Sequence, residues 1–252
     1  MGKWKKWLSA GLFTAMLGTA IIAGPTADVS ANAGNKPYNI ENVSPDAHLA
    51  PSVGDSSSKT SSKAWHKIDG VCYNGSGKKV EGAITRGMDV SEWQGKINWK
   101  EAKKDLDFAF VRISYGTRHL DDYYAYNMTE AEAADVPVGT YVYSLAKTNK
   151  EALAEAQLAI RQMQGHKVSY PVAFDLEDEA TLGTLTRKEI SQIALTFCDE
   201  IRKAGYTPIL YMNLNWYNNF VDWNVLEGSG LDVWIASYGD TILAPSASKY
   251  KY

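Results

Sequence analysis

From Arg86 onward, short apolar runs alternate with segments of helical spacing, and this alternation constrains the fold more than any other feature of the chain. Antiparallel neighbours need only a tight turn, whereas parallel strands need a crossover long enough to hold a helix. Apolar runs at residues 87–90, 108–114, 138–144, 171–176, 209–212 and 233–237 read as the strands. Residues 123–134, 150–164 and 187–204 read as helices between them, the second with Leu153, Gln157, Ile160 and Gln164 marking its faces. In the third, Ile190, Ile193, Phe197 and Ile201 form an apolar stripe, Thr186 and Glu189 make a capping box, and Gly205 terminates the helix. The expected class is α/β, with parallel strands whose ends converge on one face if the sheet closes into a barrel.

The segment ahead of this domain divides into three. Residues 1–33 carry Lys3, Lys5 and Lys6, then an apolar run, then Ala31-Asn32-Ala33, the pattern of a signal peptide cut after Ala33. The run is short for a membrane span, so the expectation is a secreted protein, extracellular or held at the cell wall, that meets the membrane only through this segment before cleavage. Residues 34–63, rich in Ser, Asn, Pro and Asp, read as a flexible linker. Residues 64–85, in which Trp65, Ile68, Val71 and Tyr73 alternate up to Asn74-Gly75, read as a small hairpin extension. The net charge of −3 becomes about −5 without the signal segment, which argues against nucleic acid as a partner. Cys72 and Cys198 are too few for a disulfide framework, and no Cys and His spacing points to zinc.

The chemistry concentrates in residues 170–179, Tyr-Pro-Val-Ala-Phe-Asp-Leu-Glu-Asp-Glu. Alternate side chains of a strand share a face, so Asp175 and Glu177 point the same way with Cα atoms ~7 Å apart. Acids this close, with Asp178 and Glu179 beside them, cannot all stay ionised at neutral pH. A proton donor beside an anion is what cleavage of a glycosidic bond requires. Strand-end acids also serve as helix caps, and clustered oxygens also bind divalent cations, so these residues alone leave three readings open.

Other strand ends add to this face. Asp89 closes the first strand, and Arg112, Tyr143, Tyr211 and Trp234 lie at the ends of others. Aromatic rings at a rim suit sugars, whose C–H faces stack on them while hydroxyls find polar groups nearby. Tyr and Trp are also ordinary strand formers; their shared position at strand ends carries the weight.

Three segments together resemble glycoside hydrolase family 25, the lysozymes (N-acetylmuramidases) that cut bacterial peptidoglycan. They are Arg86-Gly87-Met88-Asp89-Val90-Ser91-Glu92-Trp93-Gln94-Gly95, Ala173-Phe174-Asp175-Leu176-Glu177-Asp178 and Val233-Trp234-Ile235-Ala236-Ser237-Tyr238-Gly239. The resemblance implies an irregular TIM-like barrel over residues 86–252, with five strand-helix units plus extra strands. It implies Glu177 as general acid, Asp175 and Asp89 as the acids around the scissile sugar, and Tyr143, Tyr211, Trp234 and Arg112 along the sugar groove. It also implies peptidoglycan glycan strands as the partner, with no cofactor and no metal. The family's final strand and terminal acid have no counterpart before Tyr252, so the last strand is expected to be lacking. A chitinase-like hydrolase and a non-catalytic cell-wall-binding protein are the rival expectations.

Overall fold

The structure, a computed structural model, describes residues 66–74, 77–83 and 85–236. The main sheet contains β3 (Gly87–Val90), β4 (Phe108–Tyr115), β6 (Val138–Tyr143), β7 (Val168–Asp175), β8 (Pro208–Asn213) and β9 (Asp232–Ala236). These strands lie parallel in their chain order, and the two-residue β5 (His119–Leu120) runs antiparallel on β4. The helices are α1 (Trp99–Ala102), α2 (Tyr124–Ala133), α3 (Asn149–Met163), α4 (Arg187–Lys203), α5 (Leu214–Asn219) and α6 (Trp223–Leu226). Because each parallel strand adds to the same edge as its predecessor, crossovers of one hand stack the helices on one face of the sheet. The result is a curled, half-barrel wall, helix-covered outside and open inside.

The pleat sorts the side chains. Val111, Ile113, Val142, Val172, Phe174, Leu210 and Met212 face outward into a core with Met128, Met163, Ile193, Phe197 and Ile201 from the helices. Phe174 stacks on Phe197 with ring centroids 4.0 Å apart. The capping box of α4 is present: Glu189 Oε2 accepts from Thr186 N at 2.8 Å, and Thr186 Oγ1 accepts from Glu189 N at 3.3 Å. The buried face of α3 is Ala152, Glu155, Ala156, Ala159 and Met163, whereas the expected markers Leu153 and Ile160 flank it half-buried and Gln157 is exposed. Alanines bring this helix close to its neighbours, so the small residues, not the large ones, define its inner side.

Phe108, Phe110, Ala173, Ile209 and Trp234 point inward. Phe108 stacks on Tyr170 at 4.6 Å, and the Phe110 ring lies 5.1 Å from that of Trp234. Two glycines make room for these rings. A Cβ on Gly87 would come within 2.3 Å of the Phe108 ring, and one on Gly139 within 2.6 Å of the Pro171 carbonyl. The interior is therefore filled at the N-terminal ends of the strands, leaving polar groups for the C-terminal ends.

β1 (His66–Ile68) and β2 (Val71–Tyr73) form the expected hairpin, but its turn falls at Asp69-Gly70, where φ is 49° and 80°. Positive φ at both central residues matches strand twist, and Asp-Gly suits it. The chain turns again after Asn74, whose N–H reaches Lys78 O at 2.9 Å, and Tyr73 then bridges to Lys79. Lys67 Nζ binds Asp107 at 2.7 Å, and Asp107 Oδ2 also accepts from Arg86 N, which docks the hairpin at the N-terminal end of the sheet. Cys72 and Cys198 are both buried and free. The expected signal segment (1–33), the linker (34–63) and the question of a final strand beyond β9 fall outside the described residues.

Candidate active site

Asp175 ends β7 and is 5% exposed; Glu177 lies two residues on and is half-buried. The strand direction persists past Asp175, because Ser144 N donates to Asp175 O at 3.0 Å and Leu176 N to Tyr211 O at 3.1 Å. Both carboxyls therefore face the interior, while Leu176 joins the outer core. Asp89, half-buried near the end of β3, is close enough to act electrostatically on Asp175. Burial pushes the Asp89 carboxyl up to about 6. Asp175 is raised well above the carboxylate range, first by burial, then by Glu177 and Asp89, with Arg112 opposing. Burial raises Glu177 to about 7 against the pull of hydrogen bonds from Asn213. Asp175 Oδ1 and Glu177 Oε1 are buried without a hydrogen-bond partner, and among the described residues no salt bridge reaches any of the three acids. Unpaired carboxyl oxygens at this depth are costly unless a ligand or a proton meets them.

Glu177 and Asp89 both act electrostatically on Asp175, whereas Arg112 has a different setting. Arg112 is 3% exposed, its Nε donating to Asp121 Oδ2 at 2.8 Å and its Nη2 lying 2.8 Å from Glu92 Oε1. Its guanidinium is held by protein carboxylates on two sides. Glu92, in the 3₁₀ turn Glu92–Gln94, also receives His119 Nε2 at 2.7 Å, and its backbone N–H donates to Asp121.

The aromatic residues divide as well. Trp234 is 3% exposed, packed edge-on to Tyr211 at 4.4 Å and against Phe110, so it supports the floor of the site. Tyr143 stacks on Tyr115 at 4.9 Å, and both hydroxyls lie near Asp178 Oδ2, at 3.4 and 3.3 Å. Asp178 is thereby tied to this wall, and its Oδ1 accepts from Thr181 N and Oγ1 at 2.8 Å each.

Tyr115 reaches the wall because β4 bulges. Arg112 pairs with Tyr141 and Ser114 with Val142, so the strand gains a residue and Tyr115 faces Tyr143. The insertion lets Arg112 and Tyr115, three apart, share the inner face, which simple alternation forbids. Tyr141 sits amid Asp89, Asp175 and Arg112, and burial holds its phenol far above the usual range, so it remains protonated. Tyr115 is a site residue that strand periodicity does not single out, whereas Tyr141 and Asn213 share the faces of Tyr143 and Tyr211. Glu92, His119 and Asp122 bring metal-competent atoms within 4.8 Å of one another, but Glu92 is already engaged by Arg112 and His119.

The sequence profile of glycosyl hydrolases family 25 matches residues 88–251. Lysozyme M1 of Streptomyces globisporus is 26% identical over 164 residues, 61% of this chain and 55% of that protein. A protein named YegX from Escherichia coli K12, described as uncharacterized, is 26% identical over 139 residues, 52% of this chain and 49% of its own length. The chain thus spans about half the length of the curated relatives it matches. Among solved structures, a family 25 glycosyl hydrolase from Bacillus anthracis has a TM-score of 0.55 at 21% identity, covering 72% of this chain and 76% of that one. The autolysin LytC of Streptococcus pneumoniae, solved with a synthetic peptidoglycan ligand, gives 0.54 at 20% identity, covering 70% and 50%. A profile match over well more than half of the sequence, on a half-barrel whose strand ends gather three acids, places the assignment beyond the fold alone: the chain belongs to glycosyl hydrolases family 25.

Proposed function

We propose that this chain is an exported lysozyme hydrolysing the β-1,4 bond between N-acetylmuramic acid and N-acetylglucosamine in peptidoglycan. The observation that carries the reading is the pair of partnerless oxygens, Glu177 Oε1 and Asp175 Oδ1, on one strand end inside the half-barrel. Family membership and the likeness to Lysozyme M1 support the substrate class.

Glu177, raised to about 7, is protonated in about half of the molecules at neutral pH and gives that proton to the glycosidic oxygen as that bond breaks. The substrate's own N-acetyl carbonyl oxygen forms a bond to the anomeric carbon from the opposite face, giving a positively charged ring. Asp175, next to Glu177, orients that N-acetyl group by hydrogen bonding. Water then attacks the anomeric carbon as its bond to the N-acetyl oxygen breaks, a proton of that water goes to Glu177, and the sugar leaves with its N-acetyl group restored. Such substrate assistance differs from a carboxylate nucleophile in needing no bond from Asp175 to the sugar. Asp89 completes the anionic surface, while Tyr143, Tyr211 and Trp234 form or support the sugar-facing wall. Arg112 acts from behind that surface through its ion pairs.

The test is release of reducing ends from purified cell walls, with product masses compared on peptidoglycan and chitin. Muropeptides ending in N-acetylmuramic acid are expected from walls. Wall binding without new reducing ends, or cleavage confined to chitin, would overturn the reading.

A further inference from the structure

Asp178 opens the loop that follows β7, and hydrogen bonds engage both oxygens of its buried carboxylate. Oδ1 accepts from Thr181 N and Thr181 Oγ1 at 2.8 Å each, and Asp178 O accepts from Leu182 N at 2.8 Å, so this half of the residue closes its own turn. The other oxygen serves the strands: Oδ2 accepts from Tyr115 Oη at 3.3 Å and from Tyr143 Oη at 3.4 Å. Those rings stand at paired positions on β4 and β6, where the strand spacing of ~4.8 Å matches their centroid separation of 4.9 Å with planes 20° apart. Stacking fixes the rings against each other but not the direction in which the pair leans; the shared carboxylate oxygen fixes that. Tyr143 also pairs with Asp175 on β7, and paired residues of parallel strands share a face, so this wall begins where the acids are.

We infer that Asp178 is a positioning residue that holds Tyr115 and Tyr143 as one rigid wall beside the acids, against which the C–H face of a pyranose ring packs. The inference deepens the proposed function and rests on the glycan substrate given there. A turn cap needs only Oδ1; the convergence of two phenols from two strands on Oδ2 is what the cap does not explain. Side chains ordered before a ligand arrives lose little freedom when it binds, so Asp178 contributes to affinity for the sugar and not to the chemical step.

The test measures, by calorimetry, binding of a tetrasaccharide of alternating N-acetylglucosamine and N-acetylmuramic acid to the full chain carrying Glu177→Gln, which holds the sugar without cutting it. Asp178→Ser keeps an oxygen for the turn but is too short to reach the phenols. Asp178→Asn keeps Oδ1 for Thr181 and offers its amide N–H groups to the phenol oxygens, restoring the tie with donor and acceptor exchanged. Tyr115→Phe with Tyr143→Phe keeps both rings and removes only their hydroxyls. Asp178→Ser should raise Kd about three- to tenfold, Asp178→Asn should recover most of that loss, and the phenylalanine pair should match the serine variant. Combining Asp178→Ser with the phenylalanine pair should cost less than about twofold more, because both remove the same contact. With Glu177 restored, Asp178→Ser should raise KM by a similar factor, with kcat within about twofold.

A parent-like Kd in Asp178→Ser, beside an inactive Glu177→Gln that binds the sugar, would overturn the inference and leave the proposed function standing. Losses that add in full between Asp178→Ser and the phenylalanine pair would overturn it too, since Asp178 would then act elsewhere. If Asp178→Ser does not fold, the phenylalanine pair decides, and a parent-like Kd there overturns the inference. Near-normal turnover by Glu177→Gln would remove the acid role and leave the KM of Asp178→Ser to judge the wall, whereas no binding at all by Glu177→Gln would remove both.

Discussion

Two charged clusters lie side by side in the half-barrel and are built on opposite terms. Around Arg112, cation and carboxylates meet: Asp121 and Glu92 sit on the guanidinium at 2.8 Å, and His119 closes on Glu92. Around Glu177, carboxyls face one another without a cation in contact, and two of their oxygens have no partner. The first cluster is neutralised by charge pairing, although Arg112 Nη2 makes no hydrogen bond; the second holds like charges together, and such a site is stable only because the surrounding sheet over-determines it. Proton affinities follow burial as well as pairing. Glu92 is lowered by His119 and Arg112 against its burial, whereas burial raises Asp121 in spite of Arg112, as it raises Glu177 and Asp175.

The contrast can be broken from either side. The largest effect expected is on activity: Glu177→Gln should lower wall hydrolysis by about 10²–10⁴-fold, read as reducing-sugar release, with folding retained. Next, Asp121→Ala leaves a buried cation half-paired and should cost about 3–5 kcal/mol in urea unfolding, a loss the acid-cluster variant does not share. Third, stability should depend on pH through the acid cluster. Glu177 binds its proton more tightly folded, up to about 7, than at its ordinary 4.5, so its stabilising contribution is full below the lower value. That contribution disappears as pH rises through the upper one. Above neutrality Glu177→Gln should therefore be the more stable protein by roughly 1–3 kcal/mol, the range allowing for partial exposure of the side chain, with the gap closing toward pH 4 in melts across pH. The smallest effect belongs to the exposed end of the paired cluster, where His119→Ala should change stability by no more than about 1 kcal/mol, and less in high salt.

How much of this was legible in the sequence depends on how far each feature reaches along the chain. The six parallel strands, the capping box at Thr186 and Glu189 and the shared face of Asp175 and Glu177 are local, and periodicity finds them. Asp69-Gly70 was equally local, yet Asn74-Gly75 offers the same kind of turn signal five residues on, and spacing alone does not rank the two. Tyr115 is invisible because its direction depends on a bulge that only pairing with β6 reveals. Asn213 depends on the register between β7 and β8, and the partners of Arg112 come from two separate segments. The inner side of α3 misled for another reason: alanine is weakly apolar, and a stripe of it is outweighed on paper by leucine and isoleucine that remain at the flank.

The rings of Phe108, Phe110, Tyr170 and Trp234 set a depth limit on the inner face of the sheet. Among the described residues they occupy its lower part, so a ligand lying against that face is held up at the level of the strand C-terminal ends, where the acids are.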